Sequence, residues 1–174
     1  MAGMTVWLTG LPAAGKTTLA TRIVARLATD GRHAVALDGD DLRRGLSRDL
    51  DLSRDGRREN VRRAGEVAAL LAAQGTLVVV SLVSPFRDDR DAVRGLHEDA
   101  DVAFAEVWVA TPVEECARRD VKGLYRRAKA GDLDGLTGWD APYEPPPAAE
   151  VVVRPTVAED GVELVLRLVA ERLG

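Results

Sequence analysis

Gly10-Leu11-Pro12-Ala13-Ala14-Gly15-Lys16-Thr17-Thr18 is the stretch that decides the fold. It follows the pattern G-x-x-x-x-G-K-[ST], a phosphate-binding loop. Glycines let such a loop curl until its N–H groups point inward at phosphate oxygens. A helix starting at Lys16 adds the positive end of its dipole. In this arrangement Lys16 reaches the β- and γ-phosphates of ATP, and the Thr17 hydroxyl ligates Mg²⁺. The motif needs a strand before it and a helix after it. Thr5–Thr9 reads as a buried strand. Leu19, Ile23, Val24, Ala25 and Leu27 give Lys16–Thr29 helical spacing, stopped by Gly31. The chain has three lysines against 21 arginines, and one of the three occupies the position the motif requires.

The alternation continues outward from this unit. Ala34–Leu37 is a short strand ending at Asp38-Gly39-Asp40-Asp41. Val61, Ala64, Ala68 and Leu71 form one face of a long helix over Asp55–Ala73, ended by Gly75. Thr76–Val83 is the most apolar run, a strand buried on both sides. A polar helix over Asp88–His97, a strand over Phe104–Val109 and a helix opened by Thr111-Pro112 follow. Val151–Val153 is the last strand and Val162–Leu173 a closing amphipathic helix. This order predicts an α/β fold of the P-loop NTPase type, a parallel sheet covered by helices on both faces, forming one domain over residues 1–174. Ligands of such sheets sit beyond the carboxyl ends of the strands. The segment 122–147 is polar, rich in Gly and Pro, and has no strand pattern. It reads as an irregular lid.

Composition narrows the partners. The net charge of −4 argues against nucleic acid. No apolar run approaches the roughly 20 residues needed to cross a bilayer, and no basic-then-apolar segment suggests a signal peptide. Cys116 is the single cysteine, which suits a reducing cytoplasm. His33 and His97 are far apart in sequence and suggest no metal site. Eight arginines crowd residues 43–63, and a second basic stretch spans residues 118–129. Most of these read as solvated helix faces, but two basic segments in an acidic chain suit a small polyanionic ligand.

The class of phosphate-loop protein narrows further. No apolar strand ends in Asp-Glu, as in a mechanical ATPase, and no Asn-Lys-x-Asp reads guanine. The acids expected beside the phosphates are Asp38 and Asp40, two apart across Gly39. One can organise Mg²⁺ and its waters while the other accepts a hydroxyl proton.

Five further ordered segments resemble one family. They are Leu37-Asp38-Gly39-Asp40, Arg57-Arg58-Glu59-Asn60-Val61-Arg62-Arg63, Ser84-Pro85-Phe86-Arg87-Asp88-Asp89-Arg90, Arg119-Asp120-Val121-Lys122-Gly123-Leu124-Tyr125, and Leu136-Thr137-Gly138-Trp139-Asp140-Ala141-Pro142-Tyr143-Glu144. With the phosphate loop they are similar to adenylyl-sulfate kinases, over Thr5 to about Val153. The resemblance implies transfer of the γ-phosphoryl of ATP to the 3′-hydroxyl of adenylyl sulfate, with Mg²⁺ as cofactor. It implies Asp38 and Asp40 as the catalytic acids, with Asp40 taking the hydroxyl proton. It implies Arg43, Arg57 and Asn60 as holders of phosphosulfate and ribose, since guanidinium forks suit tetrahedral anions. Val83, Ser84 and Lys122 lie on the same substrate side, Lys122 where the lid begins. Arg119 matches a residue near the adenine of ATP. Ser84 matches a serine assigned in some members as a phosphoserine intermediate. In-line transfer needs only positioning and charge neutralisation, so a hydrogen-bonding role is expected for it here. A homodimer is compatible with this reading. Leu52 and Leu136 stand where the family commonly places aromatics around the substrate adenine. The alternatives are a related kinase acting on another small hydroxyl-bearing acceptor, and a nucleotide-binding switch without chemistry.

Overall fold

A computed structural model describes residues 3–155 and 160–173; residues 1, 2, 156–159 and 174 of the expected 1–174 domain lie outside the described residues. The chain runs β1 (Met4–Thr9), α1 (Lys16–Thr29), β2 (Ala34–Asp38), α2 (Gly39–Arg44), α3 (Arg54–Ala73) and β3 (Leu77–Ser81). It continues α4 (Arg87–Asp99), β4 (Ala103–Val109), α5 (Val113–Arg119), α6 (Leu124–Lys129), β5 (Val151–Val153) and α7 (Gly161–Leu173). The five strands form one parallel sheet in the order β2-β3-β1-β4-β5.

Period-two alternation sorts β1 between two cores. Met4, Val6 and Leu8 face α1 and α7, packing with Leu19, Ile23, Leu27, Val165 and Val169. Trp7 points the other way, among Val61, Ala64 and Ala68 of α3 and Val93 of α4. Both faces of the sheet are therefore covered, as parallel sheets require. Met4, Trp7, Leu8 and Ile23 are fully buried, each contributing roughly 1.5–3 kcal/mol of transfer free energy. His97 is a core residue rather than a ligand: its Nδ1–H donates to Val93 O at 2.8 Å, so Nε2 accepts from the Thr5 hydroxyl at 2.9 Å.

The acidic run after β2 is the start of a helix. Asp38 is its N-cap, accepting from Asp40 N, and Asp40, Asp41, Arg43 and Arg44 match the dipole at its two ends. The segment 122–147 is not wholly irregular, because α6 lies inside it with Asp120 accepting from Tyr125 N and Arg126 N. The strand expected over Thr76–Val83 pairs only over Leu77–Ser81. Beyond it Ser84 adopts φ 39°, and Pro85 has no N–H to give to a ladder.

Candidate active site

The phosphate loop leaves β1 with Gly10 at φ 148°, Ala13 at 60° and Gly15 at 104°. Gly10 has a steric reason as well, since a Cβ there would lie 2.6 Å from Val109 O. Ala13 carries the strain that a side chain meets in this region, and such strain collects at ligand-binding turns. Thr111 Oγ1 holds the far side of the loop, donating to Ala14 O at 2.8 Å. Lys16 is buried and lies along the loop, donating to Gly10 O at 2.9 Å and Leu11 O at 2.8 Å. Burial lowers its ammonium to about 8, against the opposing pull of Asp38 and Asp40.

Next to Lys16, Thr17 Oγ1 donates to Asp38 Oδ2 at 2.7 Å, and Asp38 Oδ1 accepts from Asp40 N at 2.9 Å. The Asp40 carboxylate in turn pairs with Lys122 Nζ. The carboxyl ends of β1 and β2 and the segment before α6 thus meet in one polar cluster. A threonine hydroxyl and a carboxylate side by side fit Mg²⁺, which takes one or two protein oxygens and fills its octahedron with phosphate and water. Among the described residues no group of three or more acids, histidines or cysteines could hold a metal by itself.

The two arginines expected on the acceptor side lie near each other, and each engages backbone. Arg43 Nη1 donates to Leu50 O at 3.2 Å and Asp51 O at 3.0 Å. Arg57 donates from Nε to Leu52 O at 2.7 Å, from Nη2 to Gly135 O at 2.5 Å, and from Nη1 to Thr137 Oγ1. Burial lowers both guanidinium groups, and for Arg57 the neighbouring Arg43 adds to the shift. Asn60 is buried, with Oδ1 lacking a partner among the described residues. Leu52 is 58% exposed, but Leu136 is 5% exposed and packs in the α1–α7 core.

Ser84 is buried. Its hydroxyl accepts from Trp7 Nε1 at 3.0 Å, and its carbonyl accepts from Arg90 Nη1 at 2.8 Å. The Val83 carbonyl accepts from Thr9 Oγ1 at 2.7 Å. Arg119 lies across the phosphate loop, where Nη1 donates to Ala14 O at 3.3 Å and Nε to Glu115. It borders a cavity of about 490 Å³ together with Gly15, Thr18, Arg22, Thr111 and Val153.

Several residues here were not singled out from the sequence. Tyr125 Oη donates to Pro12 O at 3.0 Å, and a Cβ on Gly138 would meet Leu11 Cδ2 at 2.4 Å. Both put the 122–147 segment directly on the phosphate loop. Its far end is held by Arg90 Nη2 donating to Glu144 O at 2.8 Å and by Glu144 Oε2 accepting from Arg87 N at 2.7 Å. Tyr125, Gly138 and Glu144 all fall within the motif segments, which was their available signal.

The family model for adenylylsulphate kinase matches residues 2–154. The chain belongs to the adenylylsulphate kinase family. A bifunctional enzyme NodQ of Azospirillum brasilense is 49% identical over 164 residues, 94% of this chain and 26% of that protein. The chain therefore spans about a quarter of NodQ. The adenylyl-sulfate kinase of Picosynechococcus sp. is 45% identical over 171 residues, covering 97% of this chain and 94% of the relative. Among solved structures, the Mycobacterium tuberculosis APS kinase CysC in complex with AMPPNP and APS superposes with a TM-score of 0.91 at 41% identity. That match covers 99% of this chain and 98% of that one. The phosphate loop, the acid pair and the segment 122–147 described above all lie within the span of the adenylylsulphate kinase model.

Proposed function

We propose that the chain is an adenylyl-sulfate kinase that transfers the γ-phosphoryl group of ATP to the 3′-hydroxyl of adenylyl sulfate. The observation that carries this reading is the Thr17–Asp38–Asp40–Lys122 cluster at the open end of a phosphate loop, in a member of this family. The Asp40 carboxylate takes the 3′-hydroxyl proton as that oxygen forms its bond to the γ-phosphorus and the bond to the β-phosphate oxygen breaks, releasing ADP. Lys16 and the loop N–H groups stabilise charge on the transferring phosphoryl oxygens. Thr17 and Asp38 would hold magnesium, which would neutralise charge on the phosphates when bound.

Lys122, Arg43, Arg57 and Asn60 line the acceptor side, with Val83, Ser84, Leu52 and Leu136 shaping it. Gly10 to Thr18 and Arg119 bind ATP. The chain works as one kinase domain with 122–147 as its lid, on small molecules of the cytoplasm. Among the described residues no helix is long and apolar enough to cross a membrane.

The test is ATP turnover with and without adenylyl sulfate, with the 3′-phosphorylated product identified directly. Product formation that requires both substrates and a divalent cation is expected. Turnover that ignores adenylyl sulfate, or that favours another hydroxyl compound, overturns the reading.

A further inference from the structure

Arg57 is a bridge between two segments about 80 residues apart in sequence. Its Nε is bound to the carbonyl of Leu52, just before α3, while Nη1 and Nη2 are bound to Thr137 and Gly135 in the lid. On the lid side the turn is tied together by its own hydrogen bonds. Asp140 accepts from Gly135 N at 2.8 Å and Leu136 N at 2.6 Å, so one carboxylate pins the turn. Thr137 is 1% exposed. Leu52 and Leu136 are each carried by a backbone that Arg57 holds.

We propose that Arg57 and Thr137 form a clasp that fixes the separation between the Leu52 loop and the Leu136 turn, making Thr137 a positioning residue for the base of the acceptor. The inference rests on the functional reading above and deepens it. A planar guanidinium suits the task because its donors diverge in fixed directions, so two partners on opposite sides are held at one spacing. Lysine, with one rotatable ammonium, cannot reproduce that fork. Removing the Thr137 hydroxyl leaves a donor of a half-buried cation without its acceptor, and the turn loses one of its two ties to Arg57. The effect falls on acceptor binding, because the clasp joins the two segments that the functional reading places on the acceptor side, and the bonds of Arg57 go to Leu52, Gly135 and Thr137 rather than to the phosphate loop.

The test compares Thr137→Val, Thr137→Ser and Arg57→Lys with the unaltered chain. Two readouts are taken: kinetic constants for both substrates, and the rate of tryptic cleavage at Arg126, Arg127 and Lys129 in the lid without any acceptor. The clasp predicts that Thr137→Val raises the KM for adenylyl sulfate by roughly fivefold. It predicts an unchanged KM for ATP, faster lid cleavage, and recovery of both properties in Thr137→Ser. Arg57→Lys shows the faster cleavage too and serves alone if Thr137→Val does not fold. Cleavage rates equal to the unaltered chain in the variants that fold overturn the clasp. So does a Thr137→Val defect that appears equally in the KM for ATP, or that Thr137→Ser fails to restore. A chain that never turns over adenylyl sulfate defeats the functional reading instead, and the cleavage assay still judges the clasp.

Discussion

The Thr17 hydroxyl donates to the Asp38 carboxylate at 2.7 Å, joining the end of the phosphate loop to the end of β2. The same carboxylate caps α2 through its other oxygen, which accepts from Asp40 N. Asp38 therefore has a structural duty and a proposed metal duty in one side chain. Asparagine caps a helix about as well as aspartate but is a poorer ligand for a hard cation. Asp38→Asn is expected to keep the melting temperature within a few degrees while raising the Mg²⁺ needed for half-maximal activity about tenfold or more. A magnesium titration beside a thermal melt checks this, and an unaltered titration removes Asp38 from the metal site.

Burial lowers the pKa of the Lys16 ammonium to about 8 in the free chain. Triphosphate favours the charged ammonium, so ATP binding above pH 8 must draw in a proton, and affinity falls as pH rises through that value. Calorimetry in buffers of different ionisation enthalpy is expected to show proton uptake near pH 8.5 and almost none at pH 7. Lys16→Met abolishes the uptake and lowers kcat by about 10²–10³.

Ser84→Ala is expected to stay active. The Ser84 hydroxyl accepts from the buried indole N–H of Trp7, so its loss costs about 1–3 kcal/mol of stability without touching phosphoryl transfer. A melt and a kcat measurement separate the two effects. Loss of all turnover, with a phosphoserine trapped in the unaltered chain, would establish a covalent route.

Arg90 and Glu106 form a buried ion pair at 2.5 Å, and the same guanidinium holds the carbonyls of Ser84 and Glu144. Arg90→Met leaves Glu106 uncompensated and is expected to destabilise by about 3–5 kcal/mol. Adding Glu106→Gln should return part of that stability but not the anchoring of Ser84 and Glu144. Chemical denaturation of the single and double variants measures the difference.

Leu52 and Leu136 are not equivalent targets. Leu52 is exposed, so Leu52→Phe adds an aromatic face at little structural expense. Stacking exceeds plain apolar contact by about 0.5–1.5 kcal/mol, so the KM for adenylyl sulfate should fall by a factor of a few to about ten. Leu136 is packed among core residues, and Leu136→Phe is expected to cost about 1–3 kcal/mol by overpacking. Kinetics on the first variant and a melt on the second test the asymmetry.

The elements read from sequence are those whose signal is local and long. α1 runs over Lys16–Thr29 as its apolar spacing and Gly31 predict, and β5 occupies Val151–Val153. The short helices α2 and α6 were harder. Six residues hold too few apolar positions to show a period, and their evidence is the carboxylates of Asp38 and Asp120, which accept from N–H groups of the first turn. Asp38 had the right chemistry for a cap, but an acidic Asp-Gly-Asp run is equally good turn chemistry. Only the backbone it serves distinguishes the two.

The one-dimensional pattern determined the class of chemistry here: a glycine-rich loop between a strand and a helix forms an anion cradle wherever it folds, because its donors are its own backbone. It also supplied the acids at the neighbouring strand end, since parallel sheets bring strand ends to one edge. What tertiary structure alone decided is how the long cationic side chains are used. Arg57 reaches three partners spread over Leu52, Gly135 and Thr137, and Lys122 reaches Asp40 across 82 positions. Nothing near these residues in sequence encodes those pairings. A flexible side chain takes whichever acceptors the folded backbone leaves within its reach, and that set exists only after the sheet, the helices and the 122–147 segment have packed around it.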